Sequence, residues 1–154
     1  MVIKMKICIT SSAGGHLTEA LQIAKELKNH KIFFFTFYIS HIKESLGDYS
    51  VYFNTNPRRN PLSYFRIILK SITILLKEKP DIIVSTGAGF TVPISILGKL
   101  VFRSKLIYTE CSAQVFKPSL CGRILYPFAD LFFVQWKYLL NYYGKKAQYG
   151  GLLI

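Results

Sequence analysis

Hydrophobic positions along this chain alternate between continuous apolar runs and runs with helical spacing. Residues 6–11 form an apolar run typical of a buried strand. Residues 16–29 repeat leucine and alanine every three or four positions, which predicts an amphipathic helix with one buried face. Residues 31–39, rich in phenylalanine, threonine and tyrosine, predict a second strand, and residues 51–53 predict a short third one.

The second half of the chain continues this alternation. A long apolar helix is predicted at residues 62–79, between a turn-rich linker at 54–61 and the helix-ending Pro80. The remaining predicted elements are strand 81–85, helix 92–102, strand 105–109, helix 119–128, strand 130–134 and helix 136–143. Repeated strand–helix units predict an α/β fold, a Rossmann-like, doubly wound and mostly parallel sheet covered on both faces. We expect residues 1–154 to form one domain.

The composition favours a folded protein that binds an anionic partner. Hydrophobic residues make up 51% of the chain and charged residues only 18%, which excludes a disordered, highly charged protein. The formal net charge of +12 and the mean hydropathy of +0.28 suit an anionic membrane face or a phosphate-bearing ligand. Nucleic acid is another usual partner of such charge, but no RNP-like or helix-turn-helix signature supports it. Solubility alone is the remaining explanation.

Cysteine and histidine positions predict no metal site. Cys8, Cys111 and Cys121 form no C-x-x-C pair, and no ligand spacing joins them to a histidine. This odd number of cysteines favours a reducing, cytosolic environment. The first residues lack a signal-peptide pattern, and no apolar stretch reaches the ~18 residues of a membrane span. Membrane contact, if it occurs, is therefore expected to be interfacial.

The chemistry is expected in the loops that follow the strands. Ligands of doubly wound sheets bind at the carboxyl ends of the strands, where the winding direction reverses. The candidate loops are therefore 11–16, 86–91 and 110–117. The first reads Ser-Ser-Ala-Gly-Gly-His, and its small residues let a ligand approach the free N–H groups of a helix start. This favours a phosphate or diphosphate, although such turns also occur simply to pack a helix on a sheet.

A second glycine turn at residues 85–91 opens another helix, with Pro93 near the first turn of that helix. Two anion-friendly turns at one sheet edge are a stronger sign of a phosphate site than either turn alone. The expected diphosphate contacts are Ser12, Gly14, Gly15, His16, Thr86, Gly87, Gly89 and Phe90.

His16 and Glu110 are the candidate catalytic bases. His16 lies at a helix start beside the expected ligand, where it acts as a base or phosphate donor, or simply caps the helix. Glu110 follows a strand, where it binds sugar hydroxyls, accepts a proton, or serves as a cap or ion-pair partner. The chain shows no Ser-His-Asp set and no carboxylate pair of the glycosidase kind.

The helix predicted at 62–79 carries a narrow stripe of basic and polar side chains on an otherwise apolar surface. Its apolar arc is wider than one sheet face needs, which favours an interfacial membrane contact. A helix packed between the sheet and a partner protein is the alternative. The expected membrane contacts are Arg58, Arg59, Phe65, Arg66, Ile67, Lys70, Leu97, Phe102 and Arg103.

Five segments resemble one family along nearly the whole chain. They are SSAGGH at 11–16, STGAGFTVP at 85–93, YTECSAQV at 108–115, SLCGRILYPFADLFFVQW at 119–136 and YGG at 149–151. The stretch from Gly122 to Trp136 is the most specific of these. In these residues the chain resembles the Alg-fourteen-type oligosaccharide biosynthesis proteins, whose bacterial relatives are exopolysaccharide and capsule proteins of the PssD, EpsE and CpsF type.

The resemblance implies the amino-terminal half of a split GT-B glycosyltransferase, similar to the front half of MurG. Such a subunit is peripheral on the cytoplasmic face of the membrane, binds a polyprenyl-diphosphate-linked sugar, and needs no cofactor. A second chain, of the Alg-thirteen or PssE type, binds the UDP-sugar. One departure is that Cys-Ser-Ala-Gln at 111–114 replaces the more usual Ser-Phe-Ala-Arg, which removes an arginine contact to phosphate.

The resemblance also implies an interface with the donor-binding partner near the end of the chain. The expected interface residues are Gln135, Trp136, Tyr149, Gly150, Gly151, Leu152, Leu153 and Ile154. The main hypothesis is a transferase subunit that is active only with this partner. The alternative is a non-catalytic module that recruits the catalytic subunit to the membrane, and a nucleic-acid-binding domain ranks last.

Overall fold

The computed structural model describes residues 4–40, 42–54 and 61–153, and the seven strands within these ranges form one sheet. The strands are β1 Lys6–Thr10, β2 Lys31–Phe37, β3 Ser50–Asn54, β4 Ile82–Ser85, β5 Lys105–Thr109, β6 Leu131–Val134 and β7 Ala147–Tyr149. Their order is β3-β2-β1-β4-β5-β6-β7, and every neighbouring pair is parallel. The predicted Rossmann-like α/β fold is confirmed, with a sheet that is parallel throughout rather than mostly parallel.

Helices connect the strands in the described part of the chain. They are α1 Gly15–Glu26, α2 Ile42–Leu46, α3 Pro61–Glu78, α4 Val92–Leu100, α5 Leu120–Leu125 and α6 Leu140–Tyr143. Short 3-10 turns at Gly89–Thr91 and Lys137–Leu139 lead into α4 and α6. Two elements, α2 and β7, have no counterpart among the predicted ones, and α5 and α6 are shorter than the predicted helices.

Successive side chains of the strands pack alternately into two separate hydrophobic cores. On β1, Cys8 packs with the buried residues of α3 to α6, whereas Ile7 and Ile9 pack with α1 and α2. On β2, Phe35 and Phe34 divide in the same way. This alternation follows from the two-residue period of a strand, and it assigns α1 and α2 to one face of the sheet and α3 to α6 to the other.

The reversal of winding lies between β1 and β4. The chain moves outward from β1 through β2 to β3, then returns to β4 and continues through β5 and β6 to β7 on the other side. The loops that follow β1 and β4 are therefore neighbours at the carboxyl edge of the sheet. This is the crevice where ligands of doubly wound sheets bind.

The predicted membrane residues divide between surface and interior. Phe65 is 56% exposed, and Arg66 and Arg103 are exposed as well. Ile67 is fully buried in the core, so the prediction that it contacts lipid is wrong, because its side chain faces the sheet. Lys70 donates a hydrogen bond to the backbone carbonyl of Phe53.

The remaining predicted membrane residues contribute less exposed area. Leu97 and Phe102 are half-buried and pack against the core. Arg58 and Arg59 lie outside the described residues. Within residues 4–40, 42–54 and 61–153, no helix has both the length and the hydropathy needed to cross a bilayer.

Candidate functional site

The two glycine turns meet at the carboxyl edge of the sheet and hold each other by reciprocal hydrogen bonds. His16 Nδ1 lies 2.7 Å from the carbonyl oxygen of Thr86. Thr86 Oγ1 in turn donates to the carbonyl oxygen of His16 across 3.0 Å. The loop after β1 and the loop after β4 therefore form one continuous rim, although 70 residues separate them along the chain.

Glycine is required at the centre of this rim. Gly87 has a φ of 101°, a left-handed conformation that side chains rarely adopt. A Cβ at this position would lie 3.1 Å from Cε1 of His16. The imidazole therefore packs directly on the backbone of the second turn, which fixes its position relative to both loops.

The rim includes the N-terminus of α1, which is open to an anion. Gly14 precedes the helix with no side-chain cap, and the first turn carries no acidic residue. Gly14 and Gly15 are exposed. Free N–H groups and the positive end of the helix dipole thus face solvent at the rim, an arrangement that favours phosphate.

The other predicted diphosphate contacts have different surroundings. Gly89 is exposed and Ser12 is half-buried, so both are accessible from the rim. Thr86 is fully buried and ties the loops together. Phe90 is 2% exposed and packs on Phe35, with ring centroids 4.9 Å apart. Its side chain supports the second turn from below instead of facing a ligand.

His16 is the accessible candidate base. Its side chain is 25% exposed. A hydrogen bond with the Cys111 side chain is the main cause that raises the pKa of His16 above the usual imidazole value, and the Thr86 carbonyl adds to it. Partial burial acts in the opposite direction. The His16 side chain is thus partly exposed in the cleft, and its contacts with Thr86 and Cys111 fix its orientation.

Glu110, by contrast, lies in a closed cage of donors. Its side chain is fully buried. Its carboxylate accepts hydrogen bonds from the Tyr108 hydroxyl at 3.2 Å, the Cys111 N–H at 3.3 Å and the Ser119 N–H at 3.3 Å. The Tyr143 hydroxyl donates to the other side of the carboxylate. This cage fixes the loop after β5, and it separates Glu110 from the rim where the sequence led us to expect it.

Burial raises the pKa of both caging phenols, Tyr108 and Tyr143, well above the ordinary tyrosine value. Both hydroxyls therefore stay protonated and act as donors to Glu110. We conclude that the cage is a fixed structural element in the wall of the cleft.

Glu19 is a further buried carboxylate, which sequence reasoning missed. Its Oε1 accepts hydrogen bonds from the Ser112 N–H at 2.8 Å and from Gln135 Nε2 at 2.9 Å. Gln135 Nε2 also donates to the Glu110 carbonyl at 2.9 Å, and Gln135 Oε1 accepts from the Leu153 N–H at 2.9 Å. The available signal was the position of Glu19 three residues after His16, one helical turn away.

The predicted partner-interface residues lie along this network and beyond it. Gln135 is 2% exposed and anchors the final segment, while Trp136 Nε1 donates to the Ser112 carbonyl at 2.6 Å. Tyr149, Gly150 and Leu152 are exposed. Ile154 lies outside the described residues, and Gly151 and Leu153 are half-buried.

An apolar cavity of about 550 Å³, here called the sheet-face groove, runs beside this final segment. It is lined by Ile23 of α1 and by Leu27 just after that helix, by strands β4 to β6, and by residues 150–153. It exists because α1 and α2 cover the β1 to β3 part of this face and leave Ile107 and Phe133 at the groove. The groove offers a concave apolar surface on the far side of the network from the rim.

Comparison with known proteins identifies sequence relatives of this chain. The family model described as "Oligosaccharide biosynthesis protein Alg14 like" matches residues 57–153. The UDP-N-acetylglucosamine transferase subunit ALG14 of Candida albicans is 30% identical, over 99% of this chain and 80% of its own length. A second relative, from Clostridium perfringens, is the UDP-N-acetylglucosamine–N-acetylmuramyl-(pentapeptide) pyrophosphoryl-undecaprenol N-acetylglucosamine transferase. It is 29% identical over 90% of this chain and 42% of its own length.

Structural comparison supports the same fold. The crystal structure of MurG from Acinetobacter baumannii superposes with a TM-score of 0.75 at 15% identity, covering 87% of this chain and 42% of the MurG chain. The chain thus spans less than half the length of that solved structure, and at this identity the likeness concerns the fold. The family match and the Candida albicans relative establish that this chain belongs to the Alg14-like family of oligosaccharide biosynthesis proteins.

Proposed function

We propose that this chain is the acceptor-binding subunit of a two-chain glycosyltransferase that adds a UDP-activated sugar to a polyprenyl-diphosphate-linked saccharide. The observation that carries the proposal is the reciprocal hydrogen bonding of His16 and Thr86, which joins two glycine turns into one anion-friendly rim. The names of the relatives supply the sugar chemistry, since both are UDP-N-acetylglucosamine transferases or subunits of one. N-acetylglucosamine is therefore the donor sugar to test first.

The rim suits a diphosphate that stays bound while sugar transfer takes place on the attached saccharide. The exposed backbone of Gly14 and Gly15 and the start of α1 would bind phosphate oxygens, and Gly89 would contact the far side. The Clostridium perfringens relative acts, by its name, on a pyrophosphoryl-undecaprenol acceptor. A lipid diphosphate on this rim would place its attached sugar next to His16.

His16 is the base in this proposal. It would accept the proton of the attacking acceptor hydroxyl while the hydroxyl oxygen bonds to the anomeric carbon of the donor and UDP leaves. Its partial exposure and its fixed orientation support this assignment, because a general base must be accessible to the acceptor hydroxyl and held in place. Glu110, buried in its donor cage, would hold the loop after β5 in place without taking the proton.

The partner and the membrane complete the proposal. The donor-binding subunit would pack on the sheet-face groove and the final segment, in which Leu152 is exposed. The anionic cytoplasmic leaflet would contact the exposed side chains of α3, attracted by the net charge of +12. Both contacts would leave the rim free for the acceptor.

Transfer by the reconstituted pair tests the assignment of the base. The complex is assayed with UDP-N-acetylglucosamine and a diphosphate-linked N-acetylglucosamine acceptor, and His16→Ala is expected to lower kcat about 100-fold or more. Thr18→Ala, an exposed position on the next part of α1, is the matched control and should keep the wild-type rate. The chain without its partner should transfer no sugar.

An unchanged kcat in His16→Ala, with the complex intact, would favour the alternative, a module that only recruits the catalytic chain. Sugar transfer by the isolated wild-type chain would contradict the proposal of a shared active site.

A further inference from the structure

The fold brings together three potential metal ligands that the sequence spacing keeps apart. Ligand atoms of His16, Glu19 and Cys111 all lie within 4.8 Å of one another. The first two are on adjacent turns of α1, and Cys111 follows the end of β5, about 90 residues later in the chain. These are an imidazole nitrogen, a carboxylate oxygen and a thiol sulfur, the donor types that bind zinc in proteins.

Glu19 supplies an independent sign of a cation site. The residue is fully buried, and its Oε2 accepts no hydrogen bond from any described group. This oxygen lies 4.0 Å from His16 Nδ1, too far for a hydrogen bond. A buried carboxylate oxygen without a partner is costly, so native structures pair such a group or coordinate a metal with it.

The groups around the cluster hold each ligand in place. Glu19 Oε1 is fixed by the Ser112 N–H and by Gln135 Nε2, which leaves Oε2 as the coordinating atom. The imidazole of His16 is oriented by the Thr86 carbonyl oxygen, which lies 2.7 Å from Nδ1. Because a carbonyl oxygen only accepts hydrogen bonds, Nδ1 carries the proton and Nε2 is the nitrogen left to coordinate. Such outer contacts are what a preformed site requires, because they orient the ligands before the ion arrives.

We propose that His16, Glu19 and Cys111 form a binding site for a zinc-like divalent cation. One neutral imidazole, one carboxylate and one thiolate would neutralise the two positive charges of the ion. Magnesium and calcium prefer oxygen ligands alone, so the sulfur and nitrogen donors select against them. Three protein ligands leave one coordination position open. Because the ion would occupy the free lone pair of the imidazole, His16 would act as the base of the transfer reaction only in the metal-free chain.

Zinc binding to the purified, reduced chain tests the site directly. Competition against a chromophoric chelator should give one equivalent of Zn²⁺ per chain. Cys111→Ser and Glu19→Gln should each weaken the binding at least tenfold, since each removes one of three ligands. The matched controls are Cys121→Ser and His30→Gln, which remove a thiol and an imidazole outside the cluster and should keep wild-type affinity.

Substitution with Co²⁺ provides a readout on the wild-type chain, independent of how well the variants fold. A cysteine-ligated Co²⁺ ion gives a thiolate-to-metal charge-transfer band in the near ultraviolet, and this band should be absent in Cys111→Ser. The proposal is overturned if wild-type chain with Co²⁺ shows no such band. It is also overturned if Cys111→Ser binds Zn²⁺ as tightly as the wild-type chain, since the ion then binds elsewhere.

Discussion

At the scale of single residues, Gly122 shows how closely the wall of the cleft is packed. It lies in α5 against the Glu110 cage, where a Cβ would collide with the Tyr143 hydroxyl and the Glu110 carboxylate. These two groups hydrogen-bond to each other in the buried interior. Any side chain at position 122 must push them apart.

We expect Gly122→Ala to lower the free energy of unfolding by about 2–3 kcal/mol, from overpacking and from a weakened hydrogen bond to a buried carboxyl group. Urea unfolding measures this loss, and for a chain of this size each kcal/mol lowers Tm by about 2–4 °C. Gly15→Ala is the control, because a Cβ there meets nothing within 4 Å, and it should change stability by at most about 0.5 kcal/mol. Wild-type stability in Gly122→Ala would contradict the closed cage.

At the scale of elements, α3 packs one face against the sheet and exposes the other to solvent. Ile67, Ile74 and Leu75 of α3 are buried against the sheet. Its exposed apolar side chains, here called the α3 patch, are Leu62, Phe65, Ile68, Leu69 and Leu76. The end of the helix is tied down by Glu78, which pairs with Lys6 Nζ at 2.8 Å and accepts a hydrogen bond from Tyr52. The helix is therefore fixed to the sheet while its outer face remains available.

Glu78→Gln should destabilise the protein in a pH-dependent way. The hydrogen bond with Lys6, followed by that with Tyr52, lowers the pKa of Glu78 below the usual carboxyl value. Because the folded-state pKa is depressed, this stabilisation is present above the unfolded value of 4.5 and is lost as the pH falls through the folded-state pKa. We expect a loss of roughly 1 kcal/mol at neutral pH that disappears in acid.

Urea unfolding of the two proteins over a pH series measures this difference. The exposed Glu26→Gln is the control and should show no comparable loss. A deficit in Glu78→Gln that stayed constant down to about pH 3 would exclude the ionised carboxylate as its cause.

The α3 patch is predicted to bind anionic membranes. Vesicles containing acidic phospholipids should sediment with the wild-type chain at low salt and release it as salt increases, since exposed charges are screened. The double variant Phe65→Ser with Leu69→Ser should bind at least several-fold more weakly, because it removes buried apolar area from the contact. Leu120→Ser with Tyr142→Ser removes equally exposed apolar side chains away from α3 and should bind like wild type. Equal loss in both double variants would argue against the patch.

At the scale of the whole molecule, the sheet is covered unevenly. The face bearing α3 to α6 is closed, whereas the opposite face carries only α1 and α2 and leaves the sheet-face groove beside β4 to β6. The final segment borders this groove and is held by Gln135, which also contacts Glu19 and the Glu110 carbonyl. A partner that binds the groove would thus touch the same network that supports the rim.

We expect Leu152→Asp to weaken association with the proposed donor-binding chain at least tenfold without lowering the stability of the isolated chain. Leu152 is 53% exposed at the edge of the groove, so a charge there is harmless until a partner covers it. Leu120→Asp, on the opposite face, should leave the affinity unchanged. Titration calorimetry of each variant with the partner measures the difference, and equal affinities would exclude the groove as the docking surface.

The sequence predicted the architecture of this protein better than its site. Apolar strands with helical runs between them indicate a doubly wound sheet, and the two glycine turns indicate its ligand edge. The three-residue β7 and the five-residue α2 were missed, because elements of this length contain less than two periods of a helix or a strand pattern.

Burial was the property that local patterns could not predict at the site. Glu110 is the first residue of one candidate loop and Glu19 lies three residues after another, yet both are buried by contacts with residues more than eight positions away. The pairing of His16 with Thr86 and the approach of Cys111 also depend on loops that meet only after the sheet has formed. Such contacts leave no periodic trace along the chain.

The central place of β1 in the sheet also sets the order in which the chain can fold. Ile7 pairs with Ile32 on one side but with Ile82 on the other, so β1 has an open edge until residue 82 has been synthesised. Pairing across such long separations is slow, because the chain loses the entropy of loop closure before the strand contacts form and compensate for it. During that interval the edge of β1 is exposed to other nascent chains, and chaperone binding at this stage would protect it from aggregation.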